Sequence, residues 1–77
     1  MDENERKLLM KAFGAHFKRV RDKKGISLRL LDQLSDVDYS QIHRIEKGLS
    51  APSIITLVAL AKALEVPLTE LVDFEYQ

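Results

Sequence analysis

Tyr39, Ser40, Gln41, His43 and Arg44 can each donate or accept hydrogen bonds. They surround two apolar residues, Ile42 and Ile45, that recur at helical spacing. On a helix this pattern turns a narrow apolar stripe inward and a hydrogen-bonding face outward. A helix that only packs would carry a wider stripe, with long charged residues outside it. The chemistry that suits such a face is the reading of base edges. A major groove admits an α-helix and displays a distinct donor–acceptor pattern for each base pair. Gln41 can bond an adenine edge, Arg44 a guanine edge and Ser40 either. The free backbone N–H groups at the helix start suit phosphate.

Other chemistries find less support. His16 and His43 lie far apart, with no Glu or Cys at ligand spacing near either, so each reads as a surface or helix-packing histidine. Asp36 and Asp38 resemble paired carboxylates but fall in a turn, where Asp is favoured for capping. Ser27, Ser40 and Ser53 are caps or polar-face residues without a base partner. The glycines form no phosphate-cradling loop, and the chain has no cysteine, which removes thiol nucleophiles, disulfides and cysteine-rich zinc sites. No metal, no cofactor and no catalysis are expected.

The elements that must position the polar face follow from periodicity and punctuation. Leu9, Phe13, Phe17 (or His16) and Val20 line one stripe of a first helix from about Glu3 to Lys24, which Gly25 stops. Gly14 inside it is expected to weaken the helix by about 1 kcal/mol relative to alanine and to let its N-terminal half fray or bend. Ser27 caps a second helix holding Leu28, Leu30, Leu31 and Leu34. Ser35 to Asp38 form a tight turn. Asp38 caps the third helix, with Gln41 reaching back to it as in a capping box, and Gly48 ends that helix. Ser53 caps a fourth helix carrying Ile54, Leu57, Leu60, Ala61 and Leu64. Pro67 stands near the start of a fifth, Leu68 to about Asp73. Asp73 to Tyr76 alternate only weakly, and no convincing strand, repeat or linker appears. The expected fold is all-α, with five helices and a helix-turn-helix at the second and third.

Seventy-seven residues suffice for one domain with a thin core, burying about 60–65% of the unfolded surface. The longest apolar run, Leu57 to Ala61, is too short for a membrane span, and the polar start Met1 to Glu5 is not a signal peptide. A cytoplasmic location without membrane contact follows as an expectation. The zero net charge hides an asymmetry: residues 6–29 carry nine basic side chains and one acid, a balance of +8. A solvated helix face explains this on charge alone, but one basic end on an acidic remainder also suits an oriented encounter with a polyanion.

The string Arg21-Asp22-Lys23-Lys24-Gly25-Ile26-Ser27, followed by Leu31 and by Val37 to Gly48, resembles the lambda repressor/Cro-type helix-turn-helix family, also called xenobiotic-response-element-like. The run Ile42-x-x-Ile45-Glu46-x-Gly48 is its most specific part. Pro52-Ser53, then Leu57-x-x-Leu60-Ala61-x-Ala63-Leu64 and Val66 to Leu71, continue it. The resemblance spans residues 17–72, leaving 1–16 as an N-terminal extension of the first helix and 73–77 as a tail.

The resemblance implies base contacts from Tyr39, Ser40 and Arg44, with Gln41 and His43 flanking them. It implies backbone contacts from Lys47 and Ser50, to which the basic residues Lys23, Lys24 and Arg29 add phosphate contacts. Arg21 and Glu46 match a family ion pair that orients the third helix and reads no bases. The sequence departs from the family pattern three times. Leu28 stands where a glutamine usually braces a phosphate contact, Asp32 where a small residue usually lets the two motif helices cross, and Asp36 at a turn position usually filled by glycine. Asp32 is acceptable only if it takes hydrogen bonds, and the amides or hydroxyls at the start of the third helix are the expected donors.

The expected function is sequence-specific binding of double-stranded DNA by a transcription regulator. Base contacts from one such helix are too few for selectivity, so a homodimer on a pseudo-palindromic operator is expected, its two third helices about 34 Å apart in successive major grooves. Leu68, Phe74 and Tyr76 are the candidate dimer contacts, the alternative for the two aromatics being that they fold back on their own domain. No small-molecule effector is expected. Phage-type repressors, restriction–modification controller proteins and antitoxins resemble such chains. The alternative function is a protein-interaction adaptor that kept the scaffold and lost DNA.

Overall fold

The helices begin where short polar side chains take up their free amides. In the computed structural model, which describes residues 1–76, these are α1 (Glu3–Lys23), α2 (Leu28–Ser35), α3 (Tyr39–Glu46), α4 (Ile54–Leu64) and α5 (Leu68–Leu71). Ser27 and Ser53 accept from the amides of Leu30 and Thr56, each at 3.1 Å, and so cap α2 and α4. α1 starts with a capping box absent from the sequence reading: Asp2 accepts from the Glu5 amide at 2.8 Å, and Glu5 accepts from the Asp2 amide. The box expected at α3 does not form. The Asp38 carboxylate accepts from Ser40, two residues on, and the Gln41 side chain accepts no bond from the Asp38 amide among the described residues. α5 ends at Leu71, short of Asp73, and residues 73–76 form no strand.

One core holds the five helices. Phe13, Phe17 and Val20 of α1 meet Leu31 of α2, Ile42 and Ile45 of α3, Leu60, Ala61 and Leu64 of α4, and Leu71 of α5. Val37, in the turn between α2 and α3, is buried with them and pins the corner of the motif. Ser35 closes that corner, donating to the Leu31 carbonyl (2.6 Å) and accepting from the Val37 amide (3.1 Å). Asp36 takes the left-handed conformation there (φ 59°), a tolerable cost for Asp. Helix α3 packs between α1 and α2, while α4 packs on α2 and α5.

Gly14 neither frays nor bends α1, which runs unbroken from Glu3 to Lys23. It is buried beneath the end of α3, where an added Cβ would collide with the carbonyl oxygens of Ile45 and Glu46, 2.6 Å from the latter. Gly48, at φ +75°, makes the matching approach, since a Cβ there would lie 2.9 Å from Lys11 Cα. The C-terminal end of α3 therefore rests backbone on backbone against α1. No described helix is long and apolar enough to cross a membrane.

Three apolar positions differ from the periodic reading. Leu30 and Leu34 stand out from α2, and Ile54 is 62% exposed at the start of α4. Ile55 beside it is 79% exposed. Helix α4 is apolar nearly all round, so periodicity alone could not tell its inner from its outer face.

Candidate nucleic-acid interface

Ile42 and Ile45 are fully buried, and this fixes the rotation of α3. With that stripe inward, Tyr39, Ser40, Gln41, His43 and Arg44 are all exposed along one outer surface. Lys23, Lys24, Arg29 and Lys47 are exposed as well, and Ser50 is half-buried in the loop after α3.

The start of α3 is tied to α2 through Asp32. Its Oδ2 accepts from the Tyr39 amide at 2.8 Å, so the half-buried carboxylate is not bare. It adds a second anionic acceptor at the positive end of a helix whose own cap is Asp38. Asp32→Ala is expected to cost about 1 kcal/mol, the usual loss for a cap, which is roughly 4–8 °C in Tm for a domain this size. A thermal melt checks it, and an unchanged or raised Tm would remove Asp32 from that role.

Asp38 accepts from both the hydroxyl and the amide of Ser40. The hydroxyl bond first, and then the amide bond, hold its carboxyl below the ordinary aspartate range. Because the pKa is depressed in the folded state, this cap persists down to more acidic pH than a free carboxylate would, and is lost only as pH falls through that lowered value. The Ser40 hydroxyl thus spends its one proton on Asp38, which leaves it only lone pairs for any further hydrogen bond.

Tyr39 sits in a stack. The Arg29 guanidinium lies 5.2 Å from its ring centroid, and the His43 ring is stacked at 6.5 Å on the same helix face. Arg44 reaches only weakly to the Leu49 carbonyl, at 3.5 Å, leaving most of its donors available.

The far end of α3 is clamped by the Arg21–Glu46 pair. Arg21 Nε donates to Glu46 Oε2 at 2.6 Å and Nη2 to Oε1 at 2.9 Å, a bidentate fork. The two side chains are 9% and 5% exposed. A third donor, Nη1, meets the Ile26 carbonyl at 2.9 Å, tying the loop before α2 to the same guanidinium. The hydrogen bonds to Glu46 hold the Arg21 pKa above its ordinary value against the opposing effect of burial.

The C-terminal tail folds back over α1. Phe74 is half-buried, edge-on to Phe13 at 5.5 Å and stacked with His16 at 5.8 Å, while His16 Nε2 donates to the Glu70 carbonyl at 2.7 Å. Leu68 is half-buried and Tyr76 exposed, with its ring 6.5 Å from that of Phe74.

Residues 17–71, most of the chain and the whole motif just described, match the family model Helix-turn-helix, HTH_3. The chain belongs to this helix-turn-helix family. Relatives and neighbours agree with the assignment. An HTH-type transcriptional regulator of Sinorhizobium fredii, y4dJ, is 34% identical over 64 residues, covering 83% of either chain. The crystal structure of the restriction-modification controller protein C.AhdI from Aeromonas hydrophila is similar at a TM-score of 0.76 and 35% identity, over 82% of this chain and 94% of that one. The clp gene regulator ClgR from C. glutamicum is similar at a TM-score of 0.77 and 28% identity, over 83% of each chain. The helix-turn-helix domain described here thus has the lambda-repressor-like fold. Its family consists of DNA-binding transcriptional regulators and not of enzymes.

Proposed function

We propose that this helix-turn-helix protein is a cytoplasmic, sequence-specific regulator that works as a homodimer on a pseudo-palindromic operator, with α3 of each copy in the major groove. One observation carries the reading: α3 keeps Ile42 and Ile45 wholly buried while five hydrogen-bonding side chains point outward. Gln41 and Arg44 read adenine and guanine edges, Ser40 accepts from a base amino group, and Tyr39 and His43 add an aromatic surface suited to base edges and the thymine methyl. Lys23, Lys24, Arg29, Lys47 and Ser50 contact phosphates.

Two copies in contact suit the spacing required. The molecule measures 34 × 22 × 20 Å, so paired copies can hold equivalent helices one DNA turn, about 34 Å, apart. Leu68, Phe74 and Tyr76 remain proposed dimer contacts. Phe74 is partly engaged by its own domain, and the more exposed Ile54, Ile55 and Val58 of α4 extend the apolar area available to a second copy. By analogy with the name of C.AhdI, a controller-type regulator is the nearest functional description, with occupancy set by protein concentration and dimerisation and not by a bound effector.

The exposed aliphatic side chains of α4 and the apolar Leu28 favour one other reading, a protein-interaction adaptor that does not bind DNA. Titration with a mixed-sequence duplex at two salt concentrations separates the two. Four basic phosphate contacts per copy should weaken dimer binding by roughly 10⁴ between about 50 and 200 mM salt, at about 0.9 log units per contact per tenfold salt. Absence of duplex binding even at the lower salt would favour the adaptor.

A further inference from the structure

Beside the base-reading surface lies a second polar feature, a cavity of about 250 Å³ between α1, the start of α2 and α3. Its lining is Lys18, Arg21, Leu28, His43, Glu46 and Lys47. The charges in that set decide what it can hold. Both Glu46 oxygens are taken by the Arg21 fork, and the pair is almost completely buried, so together they form a neutral floor. The Leu28 side chain gives an apolar wall and no donor. The remaining groups are Lys18 and Lys47, both exposed, and the imidazole of His43. Neither lysine has a carboxylate partner among the described residues, where Arg21 makes the ion pairs. Two unpaired ammonium groups and an imidazole around a concave site, with its only carboxylate already satisfied, select an anion.

The cavity also shares His43 with the outer face of α3 and Lys47 with its C-terminal end, so an anion seated there would belong to whatever α3 touches. Resting on the DNA reading above, the geometry points to this cavity as the seat of one backbone phosphodiester of the bound duplex. It is held by Lys18 from α1 and Lys47 from the end of α3, with His43 at its edge. Lys18 is the new member: it lies outside the phosphate-contacting set read from the sequence. Two ammonium groups closing on one phosphate from α1 and α3 would fix the depth of α3 in the groove. The buried Arg21–Glu46 floor beneath them holds those two helices at constant separation.

The test measures binding of the full chain to a mixed-sequence duplex across a salt series, since non-specific affinity depends on phosphate contacts and needs no known operator. Lys18→Gln should leave Tm unchanged, because the side chain is exposed, and should flatten the plot of log affinity against log salt by about 0.9 for each protomer bound. Lys18→Arg, which keeps the charge, should restore most of the slope. An unaltered slope in Lys18→Gln, with the wild type binding in the expected salt-dependent way, overturns the assignment and leaves the DNA reading intact. Failure of the wild-type chain to bind duplex at any salt overturns both. Titration with inorganic phosphate alone forms the other arm: weak, unsaturable shifts are expected, whereas tight 1:1 binding of free phosphate would make this a free-anion pocket instead of a duplex contact.

Discussion

Arg21→Ala should cost the domain about 3–5 kcal/mol, measured by urea unfolding, because it strands the Glu46 carboxylate among buried neighbours. A chain of this length has roughly 4–12 kcal/mol of stability in all, so the variant should lose from about a quarter of it to all of it. The loss should greatly exceed that of an exposed ion pair, which contributes about 0–1 kcal/mol. Most of the cost is the unpaired charge and not the value of the pair itself. Replacing both partners together, as in Arg21→Met with Glu46→Leu, should therefore recover much of the stability. The recovered double variant is still expected to bind DNA more weakly, since the fork and its bond to the Ile26 carbonyl fix the end of α3 relative to α1 and the loop before α2. A loss below about 1 kcal/mol for Arg21→Ala would mean that water reaches Glu46, contrary to the burial described.

Gly14→Ala should destabilise the protein, a sign opposite to the helix-propensity expectation. In an exposed helix interior, glycine to alanine gains about 1 kcal/mol. Here the new methyl group would meet the backbone carbonyls of Ile45 and Glu46, which cannot rotate away as a side chain could. Helix α3 must then lift from α1 at the end that carries Glu46. Overpacking of this kind costs typically about 1–3 kcal/mol. DNA affinity should fall with it, because a shift of α3 moves Arg44 and Lys47 relative to Lys18 and the basic end of α1. A melt and a duplex titration of the same variant check both effects; a raised Tm would show that the helices separate at little cost.

The contrast at Gly14 marks where sequence reading stops. The caps at Ser27 and Ser53, the stop at Gly25 and the buried pair Ile42 and Ile45 were legible because each rests on local spacing. The cost of Gly14 was also read locally, as propensity, while its cause is a contact between residues 14 and 45–46 that no local rule contains. At α3 the box spacing misleads: Gln41 stands at the right offset from Asp38, but its side chain stays exposed and takes no bond from the Asp38 amide, while the Asp38 carboxylate accepts from Ser40. Ile54 belongs by spacing to the inner stripe of α4 yet faces out, because a helix apolar on nearly every side has little phase to read. Lys18 was one of nine cations in a basic stretch, and only the cavity above the Arg21–Glu46 pair distinguishes it from its neighbours.

The most direct test of α3 as a base reader is selection of bound duplexes from a random pool, for the wild type and for Arg44→Ala. The expected wild-type motif is two inverted half-sites spaced about 10–10.5 base pairs centre to centre. Arg44→Ala should lose preference at one symmetric position, costing about 1–3 kcal/mol there while the rest of the motif survives. A pool that enriches no sequence would contradict the account, and so would a variant that weakens every sequence equally.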